Sequence, residues 1–579
     1  MQAPSAEHPV PDRHGVNLFE ADAELQALLP LYLEPDLHVH LLPHLRRLGG
    51  LAGGELDELA GIADRHPPTL SLRNRQGQDQ QRIDKHPAYV ALERVAFSDY
   101  GLAAMSHRGG VLGWAAPMPP AAKYALSYLF VQAEFGLCCP LSMTDSLART
   151  LRRFGAPALV ERFLPQLTTQ DFDALYQGAM FMTEQGAGSD IAATAVEARW
   201  EEAHGQGGWR LYGDKWFCSN PDAALAMVLA RTGRVEEGIK GVSLFLLPRT
   251  LDDGRANAYR ILRLKDKLGT RSMASGEIRL EGAQAWLVGE PGRGFQQMAD
   301  MVNNSRLSNG MRAAGLMRRA CGEAFFIAEH RRAFGRRLIE LPLMRRQLLK
   351  LLLPTEQART MLFQTAEALR RSDTGAAPDA YALLRILTPL IKFRACRDAR
   401  KVCGDAMEVR GGCGYIEEWA DPRLLRDAHL GSIWEGTSNI VALDVIRAIR
   451  RDAALPALQA HLQGLLGQSR LAPRVREIFQ RQLDEALALG RQVAEAGGAL
   501  DHGARQAASA LYHASSAIAM AWEATRCGSP RRLRLAQLVL RERALPAARQ
   551  LAAEPAWLAG LLQPAERPDR AELDTIDLF

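Results

Sequence analysis

The sequence predicts a multidomain, mainly α chain: a helical N-terminal domain, a small central β domain, a helix-bundle domain and an appended helical domain. Three observations predict this. At 579 residues the chain is too long for one hydrophobic core. Helical spacing of apolar residues runs from about 50 to 170 and again from 295 onward, with prolines at the breaks. Between them lies a glycine-punctuated stretch with short apolar runs of strand length.

The expected divisions are 1–177, 178–290, 291–451 and 452–579. Residues 1 to about 35 read as an arm with little regular structure, and helical pattern runs from about 50 to 170, as in Ala121 to Phe135. Gly208-Trp209-Arg-Leu211-Tyr-Gly213 looks like a strand entering a turn, and Val242 to Leu247 like a strand closed by Pro248. Arg312 to Arg332, Leu343 to Arg371 and Ala380 to Val409 have the lengths of bundle helices. Past Pro456 the chain stays rich in Ala, Leu and Arg.

Composition excludes several classes. The apolar fraction of 47% is that of a globular protein. No apolar run reaches the roughly 18 residues of a spanning helix, and the first residues lack the basic start and apolar run of a signal peptide. The eight cysteines form no C-x-x-C pair and no Cys/His cluster with zinc spacing, so no metal site is expected and a reducing, cytoplasmic location is. The net charge of +5 is only mildly basic. No lysine follows Lys401, a bias that codon usage explains as well as function does.

Four stretches carry chemistry. Met182-Thr183-Glu-Gln-Gly-Ala-Gly-Ser189-Asp can bring backbone N–H groups close to a planar ligand or a phosphate, although it is also ordinary turn vocabulary. In Lys215-Trp-Phe217-Cys-Ser219-Asn an aromatic can cover a flat ring while a hydroxyl meets its edge. Arg331-Arg-Ala-Phe334-Gly offers an arginine to a diphosphate and a ring to a purine, or is simply a solvated helix end. Finally Gly411-Gly412-Cys-Gly-Tyr leads to Ile433-Trp434-Glu435-Gly436-Thr437-Ser-Asn439. A carboxylate held between Trp434 and Gly436 on an apolar approach is partly stripped of water, a setting suited to a general base.

In this order and spacing the motifs, with Leu264-Lys-Asp-Lys-Leu-Gly269-Thr-Arg271-Ser, resemble the acyl-CoA dehydrogenase superfamily over roughly residues 85 to 450. The resemblance implies a barrel-like central domain, a C-terminal four-helix bundle and FAD held between domains and across a subunit contact. By position, Met182, Thr183 and Ser189 fall on the flavin loop, Phe217 and Ser219 at the ring, and Arg331 and Phe334 at the adenosine-diphosphate half. Gly411 and Gly412 would approach from a neighbouring subunit, and Ile433, Trp434, Gly436, Thr437 and Asn439 would run along the cofactor. Glu435 matches the base and Arg306 a position near the thioester of the acyl-CoA substrate; an electron-accepting flavoprotein would be the redox partner.

Three departures stand out: Glu408 and Pro342, each where glutamine is usual, and the length beyond 451. All three resemble the AidB-like branch of the bacterial alkylation response, as do Lys215-Trp-Phe and Leu443-Asp-Val-Ile-Arg447. That resemblance implies weak dehydrogenation of short or branched acyl-CoA, homotetramers and an appended domain that binds double-stranded DNA. Candidate phosphate contacts are Arg447, with Arg531, Arg534 and Arg541 within about 80° of arc on a regular helix. The alternative is a fully active dehydrogenase whose extension is structural.

Overall fold

The computed structural model describes residues 9–203 and 206–544. Seven helices form the N-terminal region: α1 (Ala23–Tyr32), α2 (Pro35–Gly53), α3 (Glu55–Arg65), α4 (Pro87–Glu93), α5 (Pro120–Phe130), α6 (Cys138–Phe154) and α7 (Pro157–Leu167). Prolines open four of them, where the missing N–H loses no helical bond. The arm expected to be irregular thus carries the helix α1: Asp22 caps it by accepting from the Leu25 N–H, and Leu25, Leu28 and Leu29 anchor it in the core. An antiparallel hairpin, β1 (Thr69–Arg73) and β2 (Asp79–Asp84), interrupts these helices and was not expected.

Seven further strands follow: β3 (Gly178–Phe181), β4 (Glu197–Ala203), β5 (Gln206–Ser219), β6 (Leu225–Arg231), β7 (Val242–Pro248), β8 (Tyr259–Leu264) and β9 (Ser275–Val288). The order β6-β4-β5-β9-β7 closes on itself because β7 also pairs with β6, giving the barrel-like domain, with β3 on β6 and β8 on β9. Gly213 does not end a strand: at φ 124° it bends β5, which continues as one strand to Ser219. Phe181, Leu211, Val228, Phe245 and Ile278 fill a core of the barrel's own.

The bundle consists of α8 (Gly294–His330), α9 (Pro342–Asp373), α10 (Ala380–Arg410), α11 (Ala420–Gly431) and α12 (Ser438–Arg451). Pro342 sits in the first turn of α9, which accounts physically for a proline there. The extension adds α13 (Ala454–Gln468), α14 (Pro473–Glu495), α15 (Ala504–Cys527) and α16 (Pro530–Val539). These helices share one apolar core with the N-terminal helices and the bundle, from Leu18 through Leu362 to Val539. No helix among the described residues is long and apolar enough to cross a membrane.

A buried charge network fastens the extension. Arg532 on α16 is fully buried and donates to Glu523 of α15, to Glu356 and Thr360 of α9 and to Glu24 of α1. Arg359 joins Asp22 at 2.7 Å and Tyr32 donates to Glu523 at 2.7 Å, so first, middle and last helices meet there.

Candidate active site

Glu435 lies in the turn between α11 and α12 with φ 55°, a left-handed conformation that is strained for glutamate, and Gly436 follows at φ 103°. The turn is held by two cations. Arg306 Nε donates to the Glu435 carbonyl at 3.0 Å while its Nη1 pairs with Asp444 at 2.7 Å, and Lys392 Nζ donates to the Gly436 carbonyl. Burial pulls the Lys392 ammonium down to about 8.

The Glu435 side chain turns inward onto one face of α8. Ser305 Oγ donates to Oε1, Asn309 Nδ2 donates to Oε2 at 3.4 Å, and Arg312 Nη2 lies 3.8 Å from Oε1. Positions 305, 309 and 312 share the helical spacing i, i+4, i+7, a signal the sequence carried but the motif reading passed over. The setting is therefore polar rather than the apolar approach expected. Trp434 covers it, 6.0 Å from Phe135 and 4.6 Å above the Arg312 guanidinium; its Nε1 is buried with no partner.

The barrel supplies the opposite wall. Thr183 accepts at its carbonyl from the Trp216 N–H at 2.9 Å, fastening the 182–190 loop to β5. Glu184 pins the loop's far side, accepting from Lys215 at 2.6 Å and from the Ala195 N–H at 2.7 Å. A side-chain carbon at Gly186 would meet nothing, so this stretch presents open backbone, with Ser189 exposed beside it. Phe217 is 58% exposed although apolar, edge-on to Trp216, and Lys265 Nζ stands 4.9 Å from its ring. Ser219 lies beside the buried Cys139 thiol of α6, whose ionisation burial pushes up. Exposed loop backbone, an exposed aromatic and an orphaned indole N–H fit a flat, polar-edged ring.

The adenosine-diphosphate candidates gather elsewhere. Arg331 Nη1 donates to the Arg410 carbonyl at 2.8 Å, and a side-chain carbon on Gly411 (φ 74°) would come within 3.3 Å of it. Arg331 and Gly411 thus meet within one chain, which puts all the adenosine-diphosphate candidates on the same subunit. Phe334 is 93% exposed, and Tyr415 and Ile416 are exposed too. Glu408 points to solvent at the end of α10. At about 1.5 Å per residue, about 30 Å of α8 separates Asn309 from the helix end at His330. Of the cofactor-lining turn, Ile433, Thr437 and Asn439 are exposed on the side where Arg505 reaches Asn439 at 3.5 Å.

The arginines proposed for phosphates are mostly engaged. Arg531 pairs with Glu24 at 2.6 Å, Arg541 with Glu542 at 2.9 Å and Arg447 with Asp444 at 3.1 Å; Arg534 is exposed. Arg541 sits in a π-helical turn (Leu540–Ala544), so the arc computed for a regular helix does not hold through it.

A barrel wall of exposed backbone and aromatics facing a carboxylate on a helix bundle defines a flavin-dependent dehydrogenase. Residues 292–450 match the acyl-CoA dehydrogenase C-terminal domain, 179–283 the acyl-CoA dehydrogenase middle domain and 9–174 the adaptive response protein AidB N-terminal domain. AidB of Escherichia coli (strain K12) is 35% identical over 82% of this chain and 85% of its own. Caenorhabditis elegans ACDH-11, solved in complex with C11-CoA, superposes with a TM-score of 0.86 at 26% identity over 95% of each chain. The apo form of Bd2924 does so at 0.80 with 31% identity, covering 88% of this chain and 99% of that one. The chain belongs to the acyl-CoA dehydrogenase family, in its AidB-like branch, and its cofactor is FAD.

Proposed function

We propose that this oxidoreductase removes hydrogen across the α,β bond of a short or branched acyl-CoA, with Glu435 as the base. The observation that carries the reading is the Glu435 carboxylate, turned inward by a strained turn and oriented by Ser305 and Asn309. FAD, when bound, supplies the acceptor for the hydride leaving the β-carbon. Glu435 takes the α-proton, which the thioester acidifies; Trp434 and Phe135 keep water from the carboxylate. Arg306, bound to Asp444 and the Glu435 carbonyl, serves as a positioning residue rather than a thioester contact. Met182, Thr183, Ser189, Phe217 and Ser219 face the flavin ring, and Thr437 and Asn439 lie on its approach.

Arg331, Phe334, Gly411 and Gly412 lie too far along α8 to serve the same flavin, so they receive the adenosine half of a cofactor seated in a second copy. Exposed Phe334, Leu343 and Tyr415 around them support an oligomer, the homotetramer, and eight free cysteines suit the cytoplasm. Electrons leave to a flavoprotein acceptor. The test is anaerobic bleaching of the flavin by acyl-CoA: Glu435→Gln should keep FAD and lose at least about 10² in rate. Bleaching at the wild-type rate would assign the base elsewhere.

A second reading, DNA binding with alkylation protection and weak turnover, is favoured by the likeness to AidB and its N-terminal domain. Against it, the extension is already welded to the bundle through Arg532 and three of the four candidate arginines are paired. The test is duplex affinity against salt: about −0.9 in log–log slope for each phosphate contacted, and no slope if the extension is structural.

A further inference from the structure

We propose that Arg312 reads an anionic group on the acyl chain, so that the preferred substrate is a short acyl-CoA ending in a carboxylate, of the succinyl or glutaryl type. This deepens the acyl-CoA reading above and rests on it.

The starting point is a buried guanidinium whose hydrogen-bonding fork the fold leaves largely unfilled. Arg312 is fully buried, yet Nη1 has no hydrogen-bond partner. Nε donates at 3.3 Å to the Ser308 carbonyl of its own helix, and Nη2 at 3.4 Å to Ser142 Oγ of α6. The nearest carboxylate is Glu435, at 3.8 Å, beyond hydrogen-bond reach. A guanidinium has five donors in a planar fork built for a carboxylate, and here most of that fork is idle. The other fully buried arginines are used differently: Arg359, whose Nε is also without a partner, and Arg532 each hold carboxylates at hydrogen-bond distance, as Arg312 does not. An unsatisfied buried cation in a general protein interior would be eliminated or paired. Beside a candidate base it marks a place where the missing partner arrives with the ligand.

The surroundings agree in sign. Lys392, also buried, spends one donor on the Gly436 carbonyl, and Arg306 is committed to Asp444. The inner face of the turn therefore carries the Arg312 and Lys392 cations against the single Glu435 carboxylate. When Glu435 accepts the α-proton that carboxylate becomes neutral, and Arg312 loses its nearest counter-charge. A plain alkanoyl chain leaves it so. A chain with a carboxylate a few carbons past the α-carbon replaces it. The closeness of Arg312 to Glu435 fixes the reach as short, and the rings of Trp434 and Phe135, 4.6 and 5.8 Å from the guanidinium, wall the same space.

The experiment uses the FAD-loaded protein, its Arg312→Met and Arg312→Lys variants, and two probes of equal carbon count, glutaryl-CoA and valeryl-CoA. Anaerobic stopped-flow bleaching gives rates. Perturbation of the flavin spectrum in a Glu435→Gln background gives affinities without oxidation. The wild type should favour glutaryl-CoA by about 10- to 100-fold, the range of a charged hydrogen bond. Arg312→Met should abolish or invert that preference while keeping its yellow colour and its binding of valeryl-CoA. Arg312→Lys, a point charge without the fork, should fall between. Equal rates and affinities for the two probes in the wild type would overturn the proposal, as would a Met variant that weakens both alike. If neither probe bleaches the flavin but the affinity preference persists and depends on Arg312, the dehydrogenase reading fails and the anion site stands.

Discussion

Arg312 and Arg532 are both fully buried, both on helices and both beside glutamates, yet the fold treats them differently. Around Arg532 the ledger closes: Glu523, Glu356, Glu24 and Thr360 take every nitrogen. Around Arg312 it stays open, with Nη1 idle and its carboxylate out of hydrogen-bond range. A closed network of this kind ties helices distant in sequence into one body. An open one next to a strained turn holds a reserve of interaction for a ligand. Burial alone does not separate the two; the count of satisfied donors does.

The largest expected effect tests the closed network. Arg532→Ala leaves Glu523 buried without its cation and Glu356 with Arg359 alone, and breaking a buried pair this way removes about 3–5 kcal/mol. Denaturant titration should show the loss, together with release of the extension to limited proteolysis. A change under about 1 kcal/mol would mean that water, rather than packing, surrounds Arg532. Next comes Glu435→Gln, where stability should hold while flavin bleaching falls by at least about 10²-fold, equivalent to about 2.7 kcal/mol. If the variant instead unfolds, Glu435 belongs with the closed network.

A third buried charge sharpens the contrast because the cations near it, Arg423 among them, form no ion pair with it. Asp427 of α11 accepts from the Thr270 N–H at 2.6 Å, and burial together with Glu134 pushes its carboxyl up from 3.8 to about 7. Its folded value is above its unfolded one, so between those limits the native state holds a proton the unfolded chain lacks. Stability then falls as pH rises through that window and stays lower above it. Asp427→Asn keeps the acceptor, so it should flatten this dependence and raise the melting temperature at pH 8 relative to the wild type. A slope unchanged between pH 4 and 7 would show that another group dominates.

What was legible in the sequence follows the same division. Local chemistry could be read: Glu435-Gly436, the 182–190 loop and the helix lengths of the bundle all lie in contiguous residues whose spacing carries meaning. Nonlocal closure could not. The sequence offers Arg531 as a phosphate contact and nothing that sets its neighbour Arg532 apart, because the two differ only in which way a helix turns toward α9. The decisive partners, Glu24 and Glu356, are hundreds of positions away. Residues 23–32 looked irregular because their apolar positions make sense only against the core that buries them. Ser305, Asn309 and Arg312 stood at helical spacing in plain view, but nothing in α8 alone says that Glu435 arrives opposite them.

The smallest effect is expected at Arg534, the exposed member of the proposed stripe. Arg534→Ala should shift stability by no more than about 0.5 kcal/mol, the ordinary range for a surface change. Any consequence should appear only with nucleic acid. If the extension contacts duplex DNA, this unpaired cation is free to neutralise a phosphate, and its loss should flatten the log–log salt slope by about one contact's worth, near 0.9. Arg531→Ala should do less to the slope and more to stability, because its charge is already spent on Glu24 at 2.6 Å. Truncation at 451 cannot serve as the control, since it would remove Arg532 from Glu24, Glu356 and Thr360 at once; the paired single variants can, because both keep the Arg532 network. Should Arg534→Ala leave the slope untouched while the wild type binds DNA, the contact surface lies elsewhere on the molecule. Should the wild type show no salt-dependent binding at all, the extension's role is the closed network itself, an added set of helices that lock α1 to α9.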